Sequence, residues 1–331
     1  MNPVLLRFSL PLLGEITFPA YFTALALAFL VGLILLERAA RKLNINPLRL
    51  YDMGVLIILV SLLGARLLHV VADGQFTDYV NLCVDPVKVE VPVGPGGPDV
   101  AKCFSDAQCG SGFLCDKTSS RCYPQRDCFA AVKVWRGGLV FYGGFIFAML
   151  FAFFWIKKFR LPKWKITDIF GYILPFGLAI TRGIGCMLNG CCYGKPTSLP
   201  WGVRYAPGLG PYDDQVKSGL IVKGAEYSLA VHPTQLYHAF LNFIIFLLAY
   251  YYLRSRKKFD GQIFAFFLMG YAIQRFIVEF FRSDPRGNVL FFSTSQFISI
   301  FIFIFGIWIW KYRAAKSLEY FENTNKDEEN K

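Results

Sequence analysis

Apolar residues run along this chain in long blocks rather than in short amphipathic stripes. Seven blocks stand out, at about 17–36, 54–73, 138–156, 169–188, 234–253, 262–281 and 290–310. Each approaches the roughly 20 residues that a helix needs to cross a hydrocarbon core of about 30 Å. Gly and Pro fall inside several of them, which helices in lipid tolerate better than helices in water. The first block has no basic leader and no small-x-small site behind it, so it reads as a retained span rather than a cleaved signal. The pattern predicts an all-α membrane protein with seven transmembrane helices. Residues 1–73 carry spans one and two, and 74–137 form an insertion. Residues 138–310 carry spans three to seven with a long loop over 189–233, and 311–331 make a polar tail read as a frayed, solvated end.

Composition agrees. Of 331 residues, 55% are hydrophobic and only 18% charged, which excludes a disordered chain. The net charge of +12 suggests an anionic partner, but a nucleic-acid binder would carry its basic residues on a hydrophilic surface, and no nucleic acid is expected. The basic residues instead alternate by loop. Four (Arg38, Arg41, Lys42, Arg49) lie between spans one and two, and five (Lys157, Lys158, Arg160, Lys163, Lys165) between three and four. Four more (Arg254, Arg256, Lys257, Lys258) lie between five and six, and Lys311, Arg313 and Lys316 follow span seven. The other side has Arg7, Arg282 and Arg286 outside its two long loops. The positive-inside rule therefore puts the N-terminus outside and the C-terminus inside.

Six of nine cysteines (Cys83, Cys103, Cys109, Cys115, Cys122, Cys128) fall in the first long outer loop, among turn-forming residues such as Pro92, Pro95, Gly96, Gly97 and Pro98. On an oxidising side this reads as a small module with up to three disulfides; a zinc site is disfavoured because the loop has neither histidines nor CxxC pairs. Cys186, Cys191 and Cys192 remain, at the outer end of span four. A vicinal Cys191–Cys192 bridge is strained and is not expected, and Cys186 also suits a small buried apolar position.

Ionisable groups inside spans are costly and mark functional sites. Here they gather toward the outer end: Arg66 in span two, Arg182 in span four, and Arg275, Glu279 and Arg282 in and after span six. Tyr21, Tyr142 and the string His232-Pro233-Thr234-Gln235-Leu236-Tyr237 lie at the same level. Arg275 and Glu279, four apart, share a helix face and also suit a buried clamp between helices. Several arginines against one obvious carboxylate call for an external anion, and the guanidinium fork fits phosphate. At that depth in a bilayer the abundant anion is a phospholipid head group.

These residues carry a family resemblance. Tyr21, Gly64-Ala65-Arg66, Trp135-Arg136-Gly137-Gly138, Phe141-Tyr142-Gly143-Gly144, Asn189-Gly190, Tyr193-Gly194, Pro200-Trp201-Gly202, His232 to Tyr237, and Arg275…Glu279-Phe280-Phe281-Arg282 stand in the order found in bacterial prolipoprotein diacylglyceryl transferases. Gln296 and Ser299 also match. The resemblance spans nearly the whole chain except the cysteine loop and the tail. It implies transfer of the diacylglyceryl group of phosphatidylglycerol to the lipobox cysteine thiol in the signal peptide of a prolipoprotein, forming a thioether. It also implies a multi-pass protein of the bacterial inner membrane, with its active site on the periplasmic side and with no metal or other cofactor. By resemblance Arg275 takes the head-group phosphate, Glu279 orients it or pairs with a neighbouring arginine, and Arg66, Arg182 and Arg282 add positive charge. Tyr21 and Tyr237 position lipid or relay a proton, and Asn189, Gly190, Gly143, Gly144 and Gly194 shape the site.

The chain departs from the family pattern at the chemistry. Tyr142 stands where the family has a histidine, the usual candidate base, which leaves Tyr142, His232 or His238 as substitutes. Cys191 and Cys186 stand for a glutamate and an asparagine, and His238 for a glutamate. Arg182 lies one residue before the signature position, at Gly183, and a shift of one residue turns a helical side chain by about 100°. A local bulge between Arg182 and Asn189 would restore its direction. The alternative reading is a paralogous lipid-binding or thiol-redox membrane protein, with Cys191 and Cys192 as its working groups.

Overall fold

The computed structural model describes residues 4–10, 14–72, 76–89, 103–106, 109, 113–116, 118, 121–133, 140–283, 288–289 and 291–329. The chain opens with an antiparallel hairpin, β1 (Val4–Leu10) and β2 (Gly14–Pro19), followed by α1 (Ala20–Lys42), α2 (Pro47–Ala72) and α3 (Phe76–Val84). Next come β3 (Phe113–Asp116) paired with β4 (Arg121–Pro124), α4 (Phe141–Lys158) and α5 (Lys163–Ile180). Helix α5 runs on through a π-helical turn, Thr181–Cys186, into α6 (Met187–Asn189). After α7 (Gly210–Lys217), α8 (Thr234–Leu247) continues through a second π segment, Leu248–Leu253, into α9 (Arg254–Arg256). Helix α10 (Gln262–Glu279), a short ribbon of β5 (Asn288–Val289) and β6 (Phe292–Ser293), and α11 (Thr294–Glu329) complete the chain.

The protein is a mostly helical, multi-pass membrane protein. Among the described residues, five helical runs are long and apolar enough to cross a bilayer: Ala20–Lys42, Pro47–Val71, Lys163–Asn189, Thr234–Arg256 and Thr294–Glu319. The other two apolar blocks form the 18-residue helices α4 and α10. In α10 the hydropathy is diluted by Gln262, Gln274, Arg275 and Glu279, all on the segment that carries the site. The first apolar block is helical from Ala20 rather than 17, because β2 holds the chain extended up to Pro19. The last block is helical from Thr294, because the β5–β6 ribbon occupies its start. The tail expected to fray is helical to Glu329. It is rich in good helix formers, and no Gly or Pro follows Gly306 to stop it.

By contacts the chain divides into two units, Met1–Pro47 with Pro162–Lys331, and Leu48–Leu161. In the larger unit α5 packs on α1, α8 and α10, and α10 packs on α8 and α11. On α1 the buried stripe is Ala20, Ala24, Ala28 and Gly32 at a spacing of four, so small residues let the helices approach closely. Phe22 and Leu30 on the opposite face are more than half exposed, as lipid-facing side chains are. Near the start of α5, Asp168 is 2% exposed. Its carboxylate accepts from the backbone N–H groups of Gly261, Ile263 and Phe264 at 3.0, 3.0 and 3.2 Å, and from Lys257 Nζ at 3.0 Å. The first turn of α10 has orphan N–H groups that nothing on its own helix can satisfy, so a carboxylate from α5 fixes where α10 begins. Asp168 lies just outside the apolar block at 169–188 and carries no sequence motif.

The loop at 189–233 is a folded cap rather than an irregular connection. Val231 pairs with Pro196 and Val203, α7 lies across it, and Tyr193, Tyr205, Leu209 and Val231 form a core. In the smaller unit α2 and α4 meet at Gly64 and Gly143, where a Cβ on Gly143 would overlap the Gly64 carbonyl oxygen. There Cys83–Cys128, Cys103–Cys115 and Cys109–Cys122 pair as disulfides, so all six loop cysteines are bridged. Most of the Pro/Gly-rich stretch near 92–98 lies outside the described residues.

Candidate functional site

Of the expected site residues, Arg66, Tyr142, Gly143 and Gly144 belong to the smaller unit, and the rest to the larger. Arg66 is 3% exposed and donates from Nε to the Ala131 carbonyl at 2.9 Å and from Nη2 to the Ala130 carbonyl at 2.7 Å. It ties α2 to the end of the disulfide module, a role that the sequence did not show. Tyr142 starts α4 and is half exposed.

In the larger unit the polar residues converge. Arg275 and Glu279, one turn apart on α10, pair at 2.9 Å (Nη1 to Oε2), with side chains 11% and 6% exposed. Arg282 Nε lies 3.8 Å from the same carboxylate oxygen. Glu279 Oε1 accepts from Ser293 Oγ at 2.9 Å, and Arg275 Nη2 donates to Ser295 Oγ at 2.8 Å. One carboxylate therefore sits between two guanidinium groups while the start of α11 holds the pair in register. The i,i+4 spacing foretold the Arg275–Glu279 pair; the serines had no sequence signal beyond their proximity to span seven.

His238 on α8 completes this layer. Arg275 Nη1 lies 3.2 Å from His238 Nε2, and His238 Nδ1 lies 2.7 Å from Gln274 Oε1. Arginine can only donate, so Nε2 accepts and Nδ1 carries the hydrogen. The ring is 3% exposed and both its nitrogens are engaged, which makes it an alignment group rather than a free base. His232 is different. Its Nδ1 lies 3.2 Å from the Tyr237 hydroxyl, which accepts from Trp201 Nε1 at 2.8 Å, and Phe281 packs on both rings. Tyr237 and His232 form a connected aromatic pair at the edge of the cap.

The cap is stitched to α10 through the backbone. Gly194 N–H donates to the His232 carbonyl at 2.9 Å, Lys195 N–H to the Phe281 carbonyl at 2.8 Å, and Gly194 bridges Arg282. A Cβ at Gly194 would sit 2.6 Å from His232 Cβ, so only glycine allows this strand to pass. Tyr205 anchors the underside. Burial pushes its phenol up to about 12, so it stays neutral and takes the hydrogen bond from Gln235 Nε2 at 3.0 Å.

Arg182 reaches this region through the π turn. A π turn takes up one residue more than an α turn, and here it absorbs the extra residue between Arg182 and Asn189 that would rotate the arginine away. Gly185 within it faces Tyr21 of α1, whose Cα would lie 3.2 Å from an added Cβ. Gly190 then ends the helix in the left-handed region, at φ 67°. Arg182 Nη1 donates to Cys192 Sγ at 2.8 Å and lies 3.8 Å from Cys186 Sγ. Hydrogen bonds from the Cys186 and Cys191 thiols, with the Arg182 and Arg282 charges, hold the Cys192 thiol well below its usual range; the same sulfur contacts and burial push Cys191 up. Arg275 and Arg282 share the Glu279 carboxylate, and Arg182 lies against Cys192, whose carbonyl is held by Thr234 of α8, the helix that carries His238.

Comparison with known proteins identifies the family. Residues 118–312 match the family model "Prolipoprotein diacylglyceryl transferase", which covers more than half of the chain. A phosphatidylglycerol–prolipoprotein diacylglyceryl transferase of Clostridium tetani is 29% identical over 313 residues, covering 93% of this chain and 96% of that one. The second such protein of Clostridium perfringens is 35% identical over 183 residues, covering 54% of this chain and 64% of that one. One from Finegoldia magna is 36% identical over 185 residues, covering 56% of this chain and 65% of that one. With the π turn, the Arg275–Glu279–Arg282 layer and the His232–Tyr237 pair in place, the chain belongs to the prolipoprotein diacylglyceryl transferase family.

Proposed function

We propose that this protein transfers the diacylglyceryl group of phosphatidylglycerol to the cysteine thiol of a prolipoprotein signal peptide, forming a thioether and releasing glycerol phosphate. It does so as a seven-span protein of the bacterial inner membrane, with N-terminus outside, C-terminus inside, and the site facing the periplasm. The convergence of Arg182, Arg275 and Arg282 around a single layer, set by Glu279 and His238, supports this reading most directly. An anionic head group is held and its leaving phosphate stabilised by donors fixed before the reaction begins. Arg275 carries the phosphate, Glu279 and His238 hold its fork, and Arg282 and Arg182 add charge where phosphate leaves. Tyr21 and the His232–Tyr237–Trp201 group line the side where lipid and acceptor meet. Asn189 and Gly190 close the turn beneath them. The acceptor sulfur must lose its proton, since the thiolate is the nucleophile.

The reading is tested by depleting the resident transferase of a bacterial host and expressing this chain in its place. A reporter prolipoprotein then gains the diacylglyceryl mass, and growth recovers. A chain present in the membrane at normal levels that leaves the reporter unlipidated defeats the proposal.

A further inference from the structure

We propose that Cys186, Cys191 and Cys192 hold one thiophilic d10 cation, Zn(II) or Cu(I), with a coordination position left for the sulfur of the acceptor cysteine. The cation site stands on the geometry of the cluster; the acceptor position rests on the transferase reading above. The three Sγ atoms all lie within 4.8 Å of one another. They are brought together by backbone that does not relax elsewhere in the helix: the π turn that ends in Cys186, Gly190 in the left-handed region, and Cys192 itself at φ 61°. A non-glycine residue in that region is strained, and the surrounding structure must offset the cost. The turn is clamped from α8, where Thr234 Oγ1 donates to the Cys192 carbonyl at 2.5 Å and Gln235 Nε2 to the Cys191 carbonyl at 2.7 Å.

The donor set selects the ligand. Three sulfurs with no carboxylate or imidazole among them suit a soft cation and not Mg(II) or Ca(II). Three protein ligands leave tetrahedral Zn(II) one open position, as in catalytic rather than structural sites. Zn(II) with three thiolates carries a charge of −1, and the Arg182 guanidinium against Cys192 and Cys186 brings the set to neutrality.

In the step this serves, the acceptor S–H gives up its proton as the sulfur joins the cation, and that proton leaves on the phosphate oxygen of the departing glycerol phosphate. The sulfur then forms the C–S bond to the glyceryl carbon as the C–O bond to phosphate breaks. The electron pair leaves with glycerol phosphate, and nothing is oxidised or reduced. The proposal departs from the cofactor-free expectation that the resemblance carries.

The experiment uses the full chain, purified in detergent without chelators or oxidant, with mass-spectrometric metal analysis and Co(II) titration followed by sulfur-to-cobalt charge-transfer absorption. About one Zn or Cu per chain is expected, the analysis telling which, and Cys191→Ser or Arg182→Gln weakens Co(II) binding about tenfold or more. A lipobox peptide with cysteine shifts the cobalt bands, and its serine counterpart does not. Absence of both bound metal and charge-transfer bands, or a disulfide among these three cysteines in the thiol-blocked chain, overturns the site. Reporter lipidation that persists in metal-stripped chain overturns the acceptor position while leaving the transferase standing. Bound metal with no lipidation under any condition defeats the transferase reading and leaves the cation site.

Discussion

Arg275→Ala lowers diacylglyceryl transfer to a reporter prolipoprotein by about 10³-fold, the scale of losing a fixed charged donor at a leaving oxyanion. The guanidinium is held by Glu279 Oε2, Ser295 Oγ and His238 Nε2, each from a different part of α10, α11 and α8. That alignment is built before lipid arrives, so the donors need no reorganisation as charge develops on phosphate. Arg275→Lys keeps the charge and loses the fork, and recovers little of the rate. The loss falls mainly on kcat, because the phosphate charge grows as the C–O bond breaks. Alanine also removes one of the two guanidinium groups beside Glu279, so thermal stability is read alongside. A folded Arg275→Ala chain within about tenfold of the parent rate would remove Arg275 from phosphate stabilisation.

Asp168→Ala destabilises the protein by about 3–5 kcal/mol, the cost of removing one partner from a buried charge pair. Three backbone N–H groups at the start of α10 lose their acceptor together, and Lys257 loses one of its two carboxylate partners, keeping Asp260. Asp168→Asn retains part of the bonding and falls between the two. The change acts on where α10 begins, far along the helix from Arg275 and Glu279, so remaining folded protein keeps near-normal transfer. The thermal midpoint in detergent measures it. A midpoint equal to that of the parent would mean that α10 is placed by packing alone, through contacts such as that between Gly171 and Ile263.

Hydropathy located seven helical segments but not their ends, because lipid demands long apolar runs whatever the tertiary detail while the polar turns beyond them carry no such signal. Helix α2 begins at Pro47 rather than 54, α5 at Lys163 rather than 169, and α1 runs to Lys42 rather than 36. The boundaries at Ala20 and Thr294 are set by β2 and by the β5–β6 ribbon, and extended backbone leaves little trace in an apolar block. The Arg275–Glu279 pair was legible from i,i+4 spacing alone. Arg182 was legible only as an anomaly of one residue, and the π turn is its physical account. Asp168 was missed, and the carbonyl partners of Arg66 were not visible, for the same reason. Each binds backbone groups from a distant segment, and a sequence shows a charge without showing which carbonyl or N–H it meets. His238 read as a substitute base, whereas both its nitrogens are taken by Arg275 and Gln274. The clustering of Cys186, Cys191 and Cys192 was partly visible, since all three fall within seven residues, but their convergence depends on the left-handed turn at Gly190 and Cys192.

The central claim is that this chain moves a diacylglyceryl group onto a cysteine sulfur. Purified chain, phosphatidylglycerol vesicles and a synthetic lipobox peptide, followed by intact mass, test it most directly. The peptide is predicted to gain one diacylglyceryl group on its cysteine, with one glycerol phosphate released per peptide modified, and a serine-substituted peptide is predicted to gain nothing. An unmodified cysteine peptide after incubation with folded, metal-replete chain would contradict the account.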